Sequence, residues 1–415
     1  MTDNAHAPPL REGAAEVRAH HGPDVDARRG GEAGHGPSHS GWWSRWGAVA
    51  ALVWSAGAVT LGASWLLGYL ANPFDDAGVV SMGAVLNAAD PAVGATLVAV
   101  LGAAGIVTAV VVTQDPPPHT RWARRAAEAV GWVITGVCAL LLVNGWLLMA
   151  MGYGLALPIL ALFLPDILSE YLVAVADPQL VICGYGVAGA LIWGLVTLRY
   201  RRRLRRTCAH CGRGDDWSAE GERSSRLRTL RVGRAAVVGG ALAALVYPAT
   251  RFAWLFGVGM DMGELPDQAL SIGLTLAGAA VVGVLLMTGL VSNWGVRFPR
   301  WAVGLVGRRV PVSLAVVPAV VVGTTLVAVG RGVLSLPHLW LDMVGGSYDL
   351  LANFVALAAM LPWGAALLVA TAAYAVRRRA ECDACGLGTA EAAPNGPNGI
   401  SRAGGTTRST EVMPR

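Results

Sequence analysis

The stretch "LVICGYGVAGALIWGLVTLRYRRRLRRTCAHCG" (Leu180–Gly212) contains the three features that decide the fold: an apolar block, a run of arginines and a C-x-x-C-G motif. About 20 apolar residues are what an α-helix needs to cross the hydrocarbon core of a membrane. Basic residues collect at the cytoplasmic ends of such helices. The stretch therefore predicts a transmembrane helix that ends in the cytoplasm and is followed by a pair of cysteines.

The composition of the whole chain extends this prediction to a polytopic protein. Of its 415 residues, 54% are hydrophobic and 14% are charged, whereas soluble domains are about 25% charged. All 32 basic residues are Arg and concentrate at span edges, so the net charge of +5 indicates membrane topology and not nucleic-acid binding. We predict an all-α helix bundle in the lipid bilayer with about eight transmembrane helices, at 46–70, 92–113, 130–153, 179–199, 234–256, 269–291, 311–329 and 352–376.

The connecting segments alternate in charge, and this alternation predicts the topology. Segments 71–91, 154–178 and 257–268 contain acidic residues and no Arg, whereas 114–129 and 292–310 contain several Arg. The positive-inside rule then places both termini in the cytoplasm of a multi-pass protein of the cell membrane.

Two segments on the predicted outer side are themselves apolar. They are "LPILALFLPDILSEYLVAVADP" (157–178) and "VLSLPHLWLDMVGGSYD" (333–349). Each is either an interfacial or re-entrant helix, or a frayed extension of the third or seventh span. The sequence leaves both interpretations open.

Colinear matches between the two parts of the chain predict an internal duplication. The Arg-Trp pair at 121–122 matches the pair at 300–301, and the two C-x-x-C-G motifs match at the ends of the two parts. Because four spans per half is an even number, we predict a 4+4 parallel repeat whose equivalent ends meet around an axis along the membrane normal. The predicted parts are a disordered cytoplasmic tail at 1–41, a four-helix membrane repeat at 42–215, a cytoplasmic linker at 216–233, a second four-helix repeat at 234–388 and a disordered cytoplasmic tail at 389–415.

The two cysteine motifs form the strongest candidate site. The glycine after each pair permits a tight turn, and two such turns supply the four thiolates of a structural zinc site. The motif resembles the zinc-ribbon knuckle C-P-x-C-G, although the Pro is missing here. We predict one zinc ion per chain, while two separate metals, redox pairs and free thiols stay open as alternatives. The predicted ligands are Cys208, Cys211, Cys382 and Cys385.

Several other polar residues lie within the predicted spans. Arg251 is either a functional intramembrane charge or a residue that snorkels to the nearby interface, and Tyr247, one turn before it, is placed to hydrogen-bond it. Asn144 either hydrogen-bonds a neighbouring helix or contacts a ligand. Cys138 and Cys183 lie inside apolar blocks and are predicted to be small core residues.

The catalytic motifs that the sequence lacks favour a protein without enzymatic activity. A phosphate-binding loop needs a Lys, and the sequence has none; H-E-x-x-H and G-x-S-x-G are also absent. The duplicated membrane architecture favours a transporter or permease with a structural zinc clamp. The alternative is a scaffold, or a sensor of metal or oxidant, that docks an unidentified protein partner at its cytoplasmic face. A third class is an intramembrane enzyme built on Arg251, Tyr247 and the outer acidic residues.

Two stretches resemble uncharacterised multi-pass integral membrane proteins of high-GC actinobacteria, such as streptomycetes. They are "YPATRFAWLFGVG" (247–259) and "WGVRFPRWAVGLVGRRVPVSLAVVPA" (294–319). The resemblance covers much of the second half of the chain. It implies a membrane location and an actinobacterial source, and it brings no catalytic or binding residues.

Overall fold

The fold is taken from a computed structural model, which describes residues 40–114, 116–162, 166–256, 267–298, 306–335, 348–379, 381–382 and 385–388. The chain divides into two compact units, residues 1–45 and residues 46–415. The packing described here is that of the second unit. The tails predicted at 1–41 and 389–415 lie outside the described residues, apart from the two residues at 40 and 41.

The described residues are almost entirely helical, which confirms the all-α prediction. A π-helical turn, Cys138–Leu142, continues directly from α3. Short 3-10 turns follow α1, precede α2 and end α7. The helices are α1 (Ser40–Leu66), α2 (Pro91–Thr113), α3 (Arg121–Val137), α4 (Trp146–Leu160), α5 (Ile167–Val175), α6 (Pro178–Leu204), α7 (Ala219–Ala253), α8 (Asp267–Gly289), α9 (Val312–Leu334), α10 (Tyr348–Ala358) and α11 (Met360–Arg377).

Among the described residues, seven helical segments are long and apolar enough to cross a membrane. They are Trp46–Leu66, Pro91–Thr113, Arg121–Leu142, Pro178–Leu204, Ala219–Phe256, Val312–Leu334 and Leu351–Arg377. The remaining predicted span, 269–291, corresponds to α8, of which the shorter segment Gly273–Gly289 is apolar.

The third span differs from the prediction of 130–153. Its helix begins within the basic segment, at Arg121, because the Thr120 side chain accepts a hydrogen bond from Ala123 N at 3.4 Å and caps it. It then ends before Asn144, where the chain leaves the helical conformation and restarts as α4. The apolar block at 130–153 therefore contains a helix break that hydropathy does not reveal.

The apolar segment 157–178 forms the end of α4 and a separate short helix, α5, in which no residue is buried. Residues 157–160 thus extend the helix that contains the end of the predicted third span, whereas α5 is a separate helix. The second apolar segment, 333–349, lies largely outside the described residues.

Asp-Pro pairs start two of the membrane helices on the side opposite the cysteine motifs. The Asp90 side chain accepts a hydrogen bond from Ala92 N at 2.8 Å, and the Asp177 side chain accepts one from Gln179 N at 2.8 Å. The Pro that follows each Asp occupies the first helical turn, where a missing N–H costs nothing. These caps fix the ends of α2 and α6 that lie opposite the cysteine motifs.

The helices pack around two separate apolar cores. The first core is built by α1, α2, α3, the π-helical turn and α6, with Trp193 at 0% exposure in its middle. The second is built by α7 to α11 and includes Met287 and Tyr374. We call α1–α6 the first half and α7–α11 the second half, since each has its own core.

The two halves contact each other closely at the ends of the spans opposite the cysteine motifs. Gly83 has a φ of +94°, and a Cβ there would lie 2.5 Å from the backbone oxygen of Ala328 in α9. Arg331 at the end of α9 donates from Nη2 to the Gly83 carbonyl at 3.0 Å. This contact depends on backbone approach, so it needs a residue without a side chain at position 83.

Candidate metal centre

The first cysteine knuckle follows directly from the end of α6. Its turn is closed by two backbone hydrogen bonds, from Cys208 N to Arg213 O and from Gly212 N to Cys208 O, both 2.8 Å long. Gly212 adopts a φ of +75°, which a residue with a Cβ rarely does. Arg213 N also points at Cys211 Sγ, at 3.5 Å. The knuckle is therefore a preformed turn that presents two sulfur atoms.

The second knuckle follows α11 and repeats the same hydrogen bonds. Cys382 N donates to Leu387 O at 3.0 Å, and Gly386 N donates to Cys382 O at 2.7 Å. Gly386 has a φ of +66°. The same five-residue and four-residue spacings occur in both knuckles, so their local sequences specify the same turn.

The two knuckles bring their four sulfur atoms into one cluster. Cys208 Sγ lies 3.9 Å from Cys382 Sγ, and Cys211 Sγ lies 3.5 Å from Cys385 Sγ. All four sulfur atoms lie within 4.8 Å of one another. A tetrahedral zinc site with Zn–S bonds of about 2.3 Å needs sulfur–sulfur distances of about 3.8 Å. The donor set and its spacing therefore fit one four-thiolate metal ion.

All four cysteines are free thiols and partly buried. Burial raises the pKa of the Cys208 thiol, but backbone hydrogen bonds from Cys211 and His210, together with neighbouring thiols, outweigh it and lower the pKa to about 6. Burial and the neighbouring thiols raise the pKa of Cys385 to about 12. The surroundings thus favour a thiolate at Cys208 and a protonated thiol at Cys385, and a divalent metal ion would displace the remaining proton.

A buried arginine joins the two knuckles to the first turn of α7. Arg213 is 7% exposed and donates to both carboxylate oxygens of Glu222, from Nη2 at 2.6 Å and from Nε at 3.1 Å. Its Nη1 donates to Leu387 O in the second knuckle at 2.8 Å. Hydrogen bonds to Glu222 raise the pKa of Arg213, against the effect of burial. We call Arg213 and Glu222 the arginine clamp.

Two further donors complete the surroundings of Glu222. Trp217 Nε1 donates to Glu222 Oε2 at 2.5 Å, and Arg226 Nη2 donates to Glu222 Oε1 at 2.8 Å. Arg226 Nη2 also reaches the backbone oxygen of Arg379, at the end of α11, at 2.8 Å. The only sequence signal of this network is an Arg directly after the first C-x-x-C-G motif and an acidic residue at the start of the next helix, which do not by themselves predict a contact.

The arginine runs beside the knuckles act mainly on backbone carbonyls. Arg202 Nη1 donates to Ala209 O at 2.7 Å and to His210 O at 3.0 Å, inside the first knuckle. Arg377 and Arg378 instead donate to carbonyls at the end of α8 and in the segment before α9. Arg377 and Arg378 therefore fix the α8–α9 connection.

Arg251 and Tyr247 lie near the opposite end of α7 from the arginine clamp. Arg251 is 8% exposed; its guanidinium lies 4.7 Å from the Tyr247 ring centre and 4.2 Å from that of Trp254, and it donates to Asn353 Oδ1 in α10 at 2.5 Å. Tyr247 thus contacts Arg251 through its ring. Residues 222 and 251 are separated by about 44 Å of helix at 1.5 Å per residue, so this group and the cysteines are separate sites.

Asn144 lies at the break between the π-helical turn and α4. It is 2% exposed, its Oδ1 accepts a hydrogen bond from Trp146 N at 3.1 Å, and its Nδ2 donates to Gln179 Oε1 at 3.4 Å. Gln179 in turn donates to the carbonyl of Pro73. Asn144 therefore caps a restarted helix and ties it to α6.

No protein-family model, curated protein or solved structure matches the chain. The membrane character that the sequence resemblance implied is supported by the seven apolar helices of spanning length. The actinobacterial source stays a prediction. The chain is a multi-pass, membrane-type helical protein with a cluster of four cysteines suited to a metal ion.

Proposed function

We propose that the protein is a transporter-like membrane protein whose two halves are joined by one structural zinc ion on the cytoplasmic side. The observation that carries the proposal is that the cluster takes two sulfur atoms from the end of each half. Four thiolates in tetrahedral spacing favour zinc or an iron–sulfur centre, and a closed four-cysteine site is typical of structural zinc. The ligands would be Cys208, Cys211, Cys382 and Cys385.

The proposal includes the 4+4 parallel repeat. Its support is an offset of 174 residues. The two cysteines of each facing pair are separated by this number, and the same offset recurs at other positions. Thr197 and Thr371, and likewise Tyr200 and Tyr374, are buried residues on α6 and α11 with this same offset. The matched knuckle turns and the separate core of each half also agree with a duplication.

The proposed cytoplasmic position of the zinc site is based on the positive charge at the adjacent ends of α6 and α11. The last turn of α6 carries Arg201, Arg202 and Arg203, and Arg377 ends α11, next to the knuckles. Basic residues at span ends are retained on the cytoplasmic side. In the reducing cytoplasm thiols stay available to a metal ion.

The transporter assignment rests on architecture. The span that contains α3 is interrupted at Asn144, and the halves contact each other closely through a glycine at the outer side. Interrupted spans and paired halves that rock against each other are common in secondary transporters. Because the spans carry few charged residues, an apolar or amphiphilic substrate suits this interior better than an ion.

Metal analysis tests the clamp. Mass spectrometry of purified, reduced protein should find one zinc per chain, and the Cys208→Ser/Cys382→Ser variant should lose it. Because one ion needs both knuckles, the two single variants should lose zinc to the same extent. Zinc lost from only one of the single variants, or zinc-free wild type, would contradict a shared site.

Distance measurements test movement of the halves. Spin labels introduced through non-natural amino acids at Tyr69 and Phe256, which are 77% and 83% exposed, report on the outer ends of the two halves. Two populated distances in nanodiscs are expected for alternating access. A single narrow distance under all conditions would count against transport and for a static scaffold.

A second candidate function is a sensory protein that docks a partner at its cytoplasmic face. The partial exposure of all four cysteines favours it, since a purely structural site is better shielded. A cavity of about 300 Å³ also lies beside the arginine clamp, lined in part by Trp217 and Ser218. Release of zinc at low oxidant concentration, with a change in the distances described above, would favour this function.

A further inference from the structure

We infer that the four-cysteine cluster is a site of oxidative modification, at which a peroxide converts the metal-free thiols into disulfides that join the two halves. The facing pairs are Cys211 with Cys385 and Cys208 with Cys382. The inference rests on the proposed clamp, because it describes what the same four thiols do when the metal ion is absent.

The sulfur–sulfur distances across the halves carry the inference. They are 3.5 Å for Cys211 and Cys385 and 3.9 Å for Cys208 and Cys382. A disulfide bond is about 2.05 Å long, so each pair has to close by less than about 2 Å. Rotation of the two side chains and a small shift of the exposed turns supply a movement of this size.

Access to oxidant separates these thiols from the other two in the chain. All four cluster cysteines are partly exposed, whereas Cys138 and Cys183 are at 0% exposure within the first half. Exposed thiols that lie beside a second thiol are the ones that peroxide oxidises reversibly. The two buried cysteines therefore serve as internal controls.

The arginine clamp keeps the facing thiols together without the metal ion. Arg213 in the first knuckle donates to Leu387 O in the second, and Arg226 of α7 donates to Arg379 O just before the second knuckle. These bonds do not involve the sulfur atoms. The knuckles thus stay in register when the metal leaves, and each thiol keeps its partner in the other half.

The chemistry needs one hydrogen peroxide molecule for each disulfide. One thiol of a facing pair attacks the peroxide, forms a sulfenic acid and releases a water molecule. The partner thiol then attacks the sulfenic sulfur, the S–S bond forms and a second water molecule leaves. The two thiols lose two electrons in total, the peroxide gains them, and both thiol protons end in water.

The cysteine cluster would then join the two halves in two states and leave them without a bond through sulfur in a third. Zinc joins them under reducing conditions, and the two disulfides join them under oxidising conditions. The reduced, metal-free form leaves these ends of the halves joined by the Arg213–Glu222 ion pair and by hydrogen bonds. Coupling between the halves would therefore be weakest when metal is scarce and reductant is plentiful.

Peptide mapping tests the inference on the full-length protein. Purified protein is stripped of metal with a chelator under reducing conditions, desalted, treated with hydrogen peroxide, alkylated and digested with trypsin. Cleavage after Arg places the first knuckle in peptide 207–213 and the second in peptide 380–402. We expect these two peptides to be linked and the peptides that contain Cys138 and Cys183 to be alkylated. Disulfides confined within each peptide, or four unreacted thiols, would overturn the inference.

A variant isolates one facing pair. Cys208→Ser/Cys382→Ser cannot form the four-thiolate site but keeps Cys211 and Cys385, so it should still link the two peptides, with a mass two hydrogens below their sum. Failure to link in a monodisperse variant would refute the pairing. The zinc content of untreated wild type separates the two proposals. Linked peptides without zinc would reject the zinc site and leave the disulfides, whereas zinc without linked peptides would reject the disulfides and leave the zinc site.

Discussion

Replacement of Arg213 by Gln should weaken zinc binding without removing a ligand. Arg213 is 7% exposed and connects Glu222 with the backbone of the second knuckle. Gln is too short to bind Glu222 in the same bidentate way, and it carries no charge. The four sulfur atoms keep their places in the sequence, so the variant tests the surroundings of the metal and not its ligands.

The structure sets the size of the effect. A hydrogen bond to a charged group contributes about 1.5–3 kcal/mol. The Arg213→Gln substitution removes two such bonds to the Glu222 carboxylate. Glu222 keeps bonds from Trp217 and Arg226, so the loss falls below the about 3–5 kcal/mol expected for a buried ion left without a partner. We expect about 2 kcal/mol, which corresponds to an about 30-fold increase in the zinc Kd. This lies within the about 10–100-fold range measured for residues that orient metal ligands.

Competition with a zinc-binding dye measures the Kd of the purified protein. Arg205→Gln is the matched control, because Arg205 is an exposed arginine just before the same knuckle and its loss changes the net charge equally. Glu222→Gln should weaken zinc binding to a similar degree. The double variant should lose less than the sum of the two, since both changes break the same contact. A Kd for Arg213→Gln within twofold of wild type, or additive losses, would refute the role of the arginine clamp.

Two further predictions concern proton release and the Arg251 contact. Because the pKa of Cys385 is about 12, zinc binding has to displace its proton at lower pH values, whereas Cys208, with a pKa of about 6, is mostly a thiolate at neutral pH. Zinc affinity should therefore rise about tenfold or more per pH unit between pH 6 and 9. Calorimetry in buffers of different ionisation enthalpy should detect the released protons, and a zinc affinity that does not change with pH would contradict the prediction. Asn353→Ala removes the amide that accepts from the buried Arg251 and should destabilise the protein by about 1.5–3 kcal/mol, seen as a lower Tm in detergent. Thr229→Ala is a control that should change little, because Thr229 is partly exposed and its hydroxyl bonds a carbonyl one turn earlier in the same helix.

The membrane helices could be predicted from the sequence because the bilayer imposes their length and composition. The meeting of the cysteines could be predicted too, since each motif follows a span that ends on the same side of the membrane. The break at Asn144 could not, because an apolar block reads the same whether its helix is continuous or restarts. The Arg213–Glu222 and Arg251–Asn353 contacts depend on which helices become neighbours, and hydropathy carries no information about that.

The two ends of the contact between the halves are stabilised in different ways, and this difference explains why a metal would be placed where the cysteines lie. At the end opposite the cysteine motifs, Gly83 packs against the backbone of α9, so close van der Waals contact adds to the hydrogen bond from Arg331. At the end that carries the cysteine motifs, the contacts that link the halves through Arg213 and Arg226 are polar, and water weakens them. A four-thiolate metal site supplies bonds that water does not weaken in this way. The metal site would thus couple the halves at the end with polar contacts, as close packing couples them at the opposite end.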